Sequence, residues 1–127
     1  MVNTVTTPRI AVIEDEHTIA DMYMFKLQNE GYKVAVAHDG QQGLKLIKAF
    51  RPELILLDLK MPIMNGEEML EKLRSVNWGM DIKVIILTNI SRDEAPLNLR
   101  FLDVERYIVK AHHTPQQVVD IIREVLS

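Results

Sequence analysis

The 127-residue chain contains no cysteine. That excludes a disulfide, a cysteine-ligated zinc, an iron–sulfur cluster and a thiol nucleophile. Its five glycines are scattered, so there is no glycine-rich phosphate loop, and neither Gly-x-Ser-x-Gly nor His-Glu-x-x-His occurs. No apolar run approaches the roughly 18–20 residues of a membrane span. Basic residues are not in surplus. Lys and Arg number 15 against 18 Asp and Glu, a formal net charge of −3, which gives no reason to expect direct nucleic-acid binding. Residues 1–8 have neither the basic start nor the apolar core of a secretory leader. They read as a flexible N-terminal tail ahead of one domain at 9–127, and the expected location is cytoplasmic.

What is present is the composition of an ordinary globule, 47% hydrophobic and 26% charged. The length suits a single core. Short apolar runs rich in Val and Ile recur: Ile10 to Ile13, Val34 to Ala37, Leu54 to Leu57, Val84 to Leu87, and Tyr107 to Val109. Most do not alternate with polar residues, as expected of strands covered on both faces. Between them lie helical stripes. Ile19, Met22, Tyr23 and Leu27 share a face over residues 17–30, and Met69, Leu70, Leu73 and Val76 do so over 66–76. Asp39 is placed to cap a helix over 40–50. At the C-terminus, Thr114, Pro115 and Gln117 supply a cap, a first-turn proline and a capping-box partner for the stripe Val118, Ile121, Ile122 and Val125. Residues 91–103 are expected to form a helix beginning near Ala95, because Pro96 sits too deep for one capped at Ser91. Strand and helix thus alternate five times, which predicts a doubly wound α/β fold with a parallel sheet and helices on both faces.

The sharpest polar residues follow the strands directly. Glu14 and Asp15 follow the first, Asp58 the third, Thr88 the fourth and Lys110 the fifth. In open α/β sheets, ligands sit outside the carboxyl ends of the strands, where strand order reverses. Three neighbouring carboxylates repel one another unless a cation joins them. A hard divalent ion such as Mg²⁺ takes carboxylates, water and phosphate oxygen. A lysine and a threonine suit the other oxygens of a phosphoryl group, and a carboxylate can itself be the nucleophile and form an aspartyl phosphate.

These residues fall in motifs that resemble the receiver domain of two-component response regulators, the CheY-like fold, over about residues 9–126. The motifs are Val12-Ile-Glu14-Asp15-Glu16, Leu56-Leu-Asp58-Leu-Lys60-Met-Pro62 with Asn65-Gly66, Leu87-Thr88, and Tyr107-Ile-Val-Lys110. The resemblance implies a five-stranded sheet of order 2-1-3-4-5 and Asp58 as phosphoacceptor. It implies Mg²⁺ bound by Asp15, Asp58 and the main-chain carbonyl of Lys60, with Glu14 in support. Thr88 and Lys110 would bind the phosphoryl group, and Tyr107 would turn with Thr88 as the switch. The implied donor is a sensor histidine kinase or a histidine phosphotransfer protein. The implied listener is a downstream protein or an output domain of the same gene product, with a homodimer allowed. Two other readings are an Mg²⁺-dependent phosphatase with an aspartyl nucleophile, and a pseudo-receiver that binds without phosphorylation. The first lacks a general acid two residues after Asp58, where Lys60 stands. The second has no need of three clustered acids.

This chain departs from the family pattern in having Ala111 after the lysine instead of proline, Asn89 after Thr88, and Asp103-Val104 before the last strand. Without proline the Lys110–Ala111 bond is expected to be trans. Lys60, and Ile90 two residues after Thr88, are expected to crowd an attacking water and slow phosphate loss. His112 and His113 read as solvated, His17 as a helix-start residue near the acids, and Trp78 as loop packing. Met24 and Phe25 lie off the apolar stripe of the first helix, where the resemblance implies kinase docking.

Overall fold

The computed structural model describes residues 7–127; most of the tail expected at 1–8 lies outside the described residues. Five parallel strands, β1 (Arg9–Ile13), β2 (Lys33–Ala37), β3 (Leu54–Leu57), β4 (Lys83–Thr88) and β5 (Arg106–Val109), stand in the order β2-β1-β3-β4-β5. Four helices accompany them: α1 (His17–Asn29), α2 (Gly40–Phe50), α3 (Gly66–Arg74) and α4 (Pro115–Leu126).

The apolar runs pack as their lack of alternation requires. Ile10, Val12, Leu54, Leu56, Ile85 and Leu87 point to one face, where α1 and α4 deliver Leu27, Val118 and Ile122. Ala11, Ile13, Ile55, Leu57, Val84 and Ile86 point to the other, where Ile47 of α2 and Met69, Leu70 and Leu73 of α3 cover them. Successive strand residues alternate faces, so both sets are buried and polar residues of the central strands are confined to their ends, Arg9, Lys83 and Thr88.

The caps form as expected. Asp39 accepts from the Gln42 N–H at 2.7 Å, and Thr114 forms a capping box with Gln117. Asn65 forms a further capping box with Glu68. Gly31, at φ 96°, closes α1, with its own N–H on the Gln28 carbonyl and that of Tyr32 on Leu27. A positive φ there favours glycine.

One expected element does not form. Residues 91–103 hold two 3-10 turns, Arg92–Glu94 and Leu97–Phe101, in place of an α-helix. Pro96 has no N–H and pushes its predecessor out of the helical region. Ala95 accordingly sits at φ −65°, ψ 146°, and Pro96 at φ −57°, ψ 132°, both extended. Ser91 makes no side-chain cap. The fourth crossover is thus the one without a helix, and Leu97 and Phe101 within it are 76% and 80% exposed.

Candidate functional site

The parallel register brings the carboxyl ends of β1, β3, β4 and β5 to one edge. β1 and β3 adjoin, while the chain goes from β1 outward to β2 before returning, so the strand order reverses between them. Glu14 and Asp58 leave this junction side by side. The Asp58 N–H donates to the Ile13 carbonyl at 3.0 Å and the Glu14 N–H to Ala37 at 3.0 Å. Both residues are held by the ladder itself, and both are buried.

Carboxylate oxygens of Glu14, Asp15 and Asp58 lie within 4.8 Å of one another. The Lys110 ammonium joins two of them, 2.6 Å from Glu14 Oε1 and 3.1 Å from Asp58 Oδ2. Main-chain donors complete the set, from Glu16 to Glu14 Oε2 at 3.1 Å and from Lys60 to Asp58 Oδ1 at 3.3 Å. Thr88, 1% exposed, lines the same cavity of about 460 Å³ together with Asp15, Asp58, Lys60 and Lys110. The sequence-derived set therefore converges, and the Lys60 side chain stands exposed at the rim.

The charges are not at rest. Burial pushes the Glu14 carboxyl up to about 7, and the nearby Asp58 adds to this, while the bonds from Lys110 and the Glu16 N–H pull it down. Burial works against the Lys110 charge as well, but the Glu14 hydrogen bond and the two carboxylates outweigh it and hold the ammonium above its usual pKa. Three oxygen-donor carboxylates with a single lysine between them match the hard donors that Mg²⁺ prefers, so the residues present fit a divalent ion.

Tyr107 is half-buried and its hydroxyl donates to the Ile90 carbonyl at 2.7 Å. The Lys110–Ala111 bond is trans, as expected without proline; there is no cis bond among the described residues. His17 begins α1 without capping it and stacks on His38, with centroids 3.7 Å apart. His38 Nδ1 lies 2.9 Å from the Glu14 carbonyl, which can only accept, so Nδ1 carries the proton. Sequence reading passed over His38, although it too directly follows a strand. The role of the Ile90 carbonyl had no side-chain signal to betray it. His113, expected to be solvated, is partly buried, with an unpartnered Nδ1. Trp78 does pack, against the α2–α3 side of the core, and Phe25 is 64% exposed.

A doubly wound sheet with an acid cluster and one lysine at its switch point defines a class of open α/β proteins that carry a charged site at the carboxyl edge of the sheet. Within that class the model of one family, the response regulator receiver domain, matches residues 10–123, and the chain belongs to that family. It is 35% identical over 95 residues to response regulator MprA of Mycobacterium ulcerans, covering 75% of this chain and 39% of that protein. It is 38% identical over 80 residues to the DNA-binding response regulator MtrA of Mycolicibacterium smegmatis, covering 63% of this chain and 34% of that one. The chain thus spans about two fifths or less of these relatives. A CheY-like receiver domain from Methanospirillum hungatei superposes with a TM-score of 0.84 at 30% identity, over 95% of this chain and 94% of that one. Receivers are signalling domains of two-component systems and typically bind Mg²⁺. Among the described residues no helix is long and apolar enough to cross a membrane.

Proposed function

We propose that residues 9–127 form a phosphorylation switch in which Asp58 accepts a phosphoryl group from a sensor histidine kinase or a histidine phosphotransfer protein. The observation that carries this reading is the Lys110 ammonium bridging buried Glu14 and Asp58 at 2.6 and 3.1 Å, on the wall of a cavity that Thr88 also lines. An Asp58 oxygen attacks the phosphorus of a phosphohistidine, the P–N bond breaks, and the imidazole leaves with the electron pair. Asp15 and Asp58, with Glu14 in support and the Lys60 carbonyl, would hold Mg²⁺, which supplies neutralisation of the phosphoryl oxygens. Lys110 exchanges a carboxylate for a phosphoryl oxygen, and the Thr88 hydroxyl donates to another. Tyr107 follows the loop after Thr88.

Lys60 and Ile90 line the same cavity. A long cationic chain and an apolar one on the approach side leave little room for an in-line water, so the phosphate is long-lived. Catalysis is confined to the chain's own Asp58, and no external metabolite is turned over. The listener is a downstream protein or an output domain of the same gene product; the name of the relative MtrA, a DNA-binding regulator, favours the latter. The location in this reading is cytoplasmic.

Incubation with acetyl phosphate and Mg²⁺, followed by intact mass, tests this. One added phosphate is expected in the parent and none in Asp58→Asn. Lys60→Asn is expected to lose phosphate faster than the parent. Continuous phosphate release with turnover would instead indicate a phosphatase, and no adduct would indicate a phosphorylation-independent binding module.

A further inference from the structure

Tyr107 is held from two directions. Its hydroxyl donates to the Ile90 carbonyl at 2.7 Å. The Arg92 guanidinium lies over its ring, 5.8 Å from the centroid, inside the range of a cation–π contact. Through Nη2 the same guanidinium donates to the Tyr107 carbonyl at 3.2 Å. Ile90 and Arg92 are two residues apart in the segment that leaves Thr88, so one short stretch grips both the side chain and the main chain of Tyr107. The Ile90 N–H in turn donates to Thr88 Oγ1 at 3.3 Å. A run of contacts therefore joins the Thr88 hydroxyl, Ile90 and Tyr107, and Arg92 closes it on the far side.

We propose that Arg92 is a positioning residue for Tyr107, which holds the ring inward on the Thr88–Ile90 loop before any phosphoryl group reaches Asp58. This rests on the reading of Tyr107 as the responding aromatic and adds what sets its resting position. A half-buried tyrosine that swung outward would give up both the Ile90 bond and the cation over its face. Arg92 has no rival claim on its orientation, because among the described residues it forms no ion pair within 4.0 Å, although Asp93 and Glu94 adjoin it. It is exposed, so its charge reaches the ring without being desolvated. A planar guanidinium can cover the ring and still send one N–H to the carbonyl, which an ammonium on a flexible stem does less well. Burial raises the Tyr107 pKa and keeps the hydroxyl a donor.

The consequence follows from linkage. If the inward arrangement is already favoured at rest, a ligand on Asp58 that also favours it has less population left to shift. Removing Arg92 raises the outward population about two- to fivefold, the worth of a cation–π contact at an exposed site. The response to phosphorylation then becomes larger in amplitude.

The chain has three tyrosines, so 3-fluorotyrosine labelling gives three fluorine signals and Tyr107→Phe assigns one. In resting protein without Mg²⁺ or phosphodonor, Arg92→Ala is expected to move the Tyr107 signal toward that of free fluorotyrosine. Its relaxation by a dissolved paramagnetic probe should rise, by less than the roughly two- to fivefold gain in outward population, because the inward ring is itself only half-buried. Arg92→Lys, which keeps the charge, should lie nearer the parent than Arg92→Gln, an order that loss of mere bulk does not produce. The same Tyr107 signal and probe access in the parent and Arg92→Ala would overturn the proposal. So would equal movement of the Tyr23 and Tyr32 signals, which would mean general loosening. Beryllofluoride with Mg²⁺, added to the parent, tests the underlying reading separately. A Tyr107 signal that ignores it would remove Tyr107 as the responding aromatic, while the resting comparison would still decide what Arg92 does.

Discussion

The connections that leave the site from β3 and from β4 are built by opposite means. After β3 the main chain does the holding. The Gly66 N–H donates to the Leu59 carbonyl at 2.9 Å and the Gly40 N–H to Met64 at 2.9 Å. A Cβ on either glycine would strike a carbonyl oxygen, that of Asp58 at Gly66 and that of Met64 at Gly40. The capping box of Asn65 and Glu68 then starts α3 at once. After β4 the chain makes only two 3-10 turns, and side chains hold it. Arg92 closes over Tyr107. Asn98 reaches Glu71 at 2.6 Å. Arg74, at the end of α3, donates to the carbonyls of Leu102 and Asp103 at 2.8 Å each. An acid that must keep its place is fixed by close-packed backbone, which has no alternative arrangement of similar energy. The segment after β4 is held instead by side-chain contacts, most of them exposed, each worth a fraction of the total stability and each separately breakable.

Gly66→Ala breaks the first region. The new methyl meets backbone that cannot yield, so a loss of about 3 kcal/mol is expected, at the upper end for overpacking. It should appear in the urea midpoint, together with weakened Mg²⁺ binding. Gly66→Ala at parent stability would mean that the close approach to Asp58 relaxes freely.

The next effect concerns protons on the same side. In metal-free protein the Glu14 carboxyl titrates near 7 instead of the ordinary 4.5. A folded-state pKa above the unfolded one stabilises the fold below pH 4.5, and that contribution is lost as pH rises through about 7. Stability should therefore fall between these limits by something on the order of 2 kcal/mol. Glu14→Gln should flatten that part of the profile, as urea titrations of the two proteins at pH 5 and 7.5 will show. A Glu14→Gln profile parallel to the parent's would place the proton elsewhere. Mg²⁺ competes for the same carboxylate, so its affinity should climb over the same interval.

The smallest effect belongs to the second region. Leu97 and Phe101 are so exposed that replacing both with serine should change stability by no more than about 0.5 kcal/mol. The pH profile should stay that of the parent. A loss of several kcal/mol would show that the segment is packed as firmly as its counterpart and would erase the contrast.

The strands and all four helices were legible because each is stated locally. Unalternated Val and Ile runs mark two-faced burial, and Asp39 and Thr114 mark helix starts within a few residues of the stripes they serve. The site residues were legible for a related reason: a polar residue directly after a buried strand must lie at the sheet edge. Residues 91–103 carried conflicting signals, a helix start at Ser91 against Pro96 behind it, and the helix expected from Ala95 onward does not form because Pro96 holds Ala95 extended.

By itself the sequence determined the fold class, the edge on which Glu14, Asp15, Asp58, Thr88 and Lys110 gather, and the trans bond after Lys110. It could do so because periodicity, strand ends and the absence of proline are properties of neighbours in the chain. The tertiary structure alone decided that Lys110 chooses Glu14 along with Asp58, that His17 stacks on His38, and that Arg92 lies on Tyr107. Those pairings join residues far apart in sequence, and they depend on ångström-scale placement set by the packing of whole elements, which no local pattern encodes.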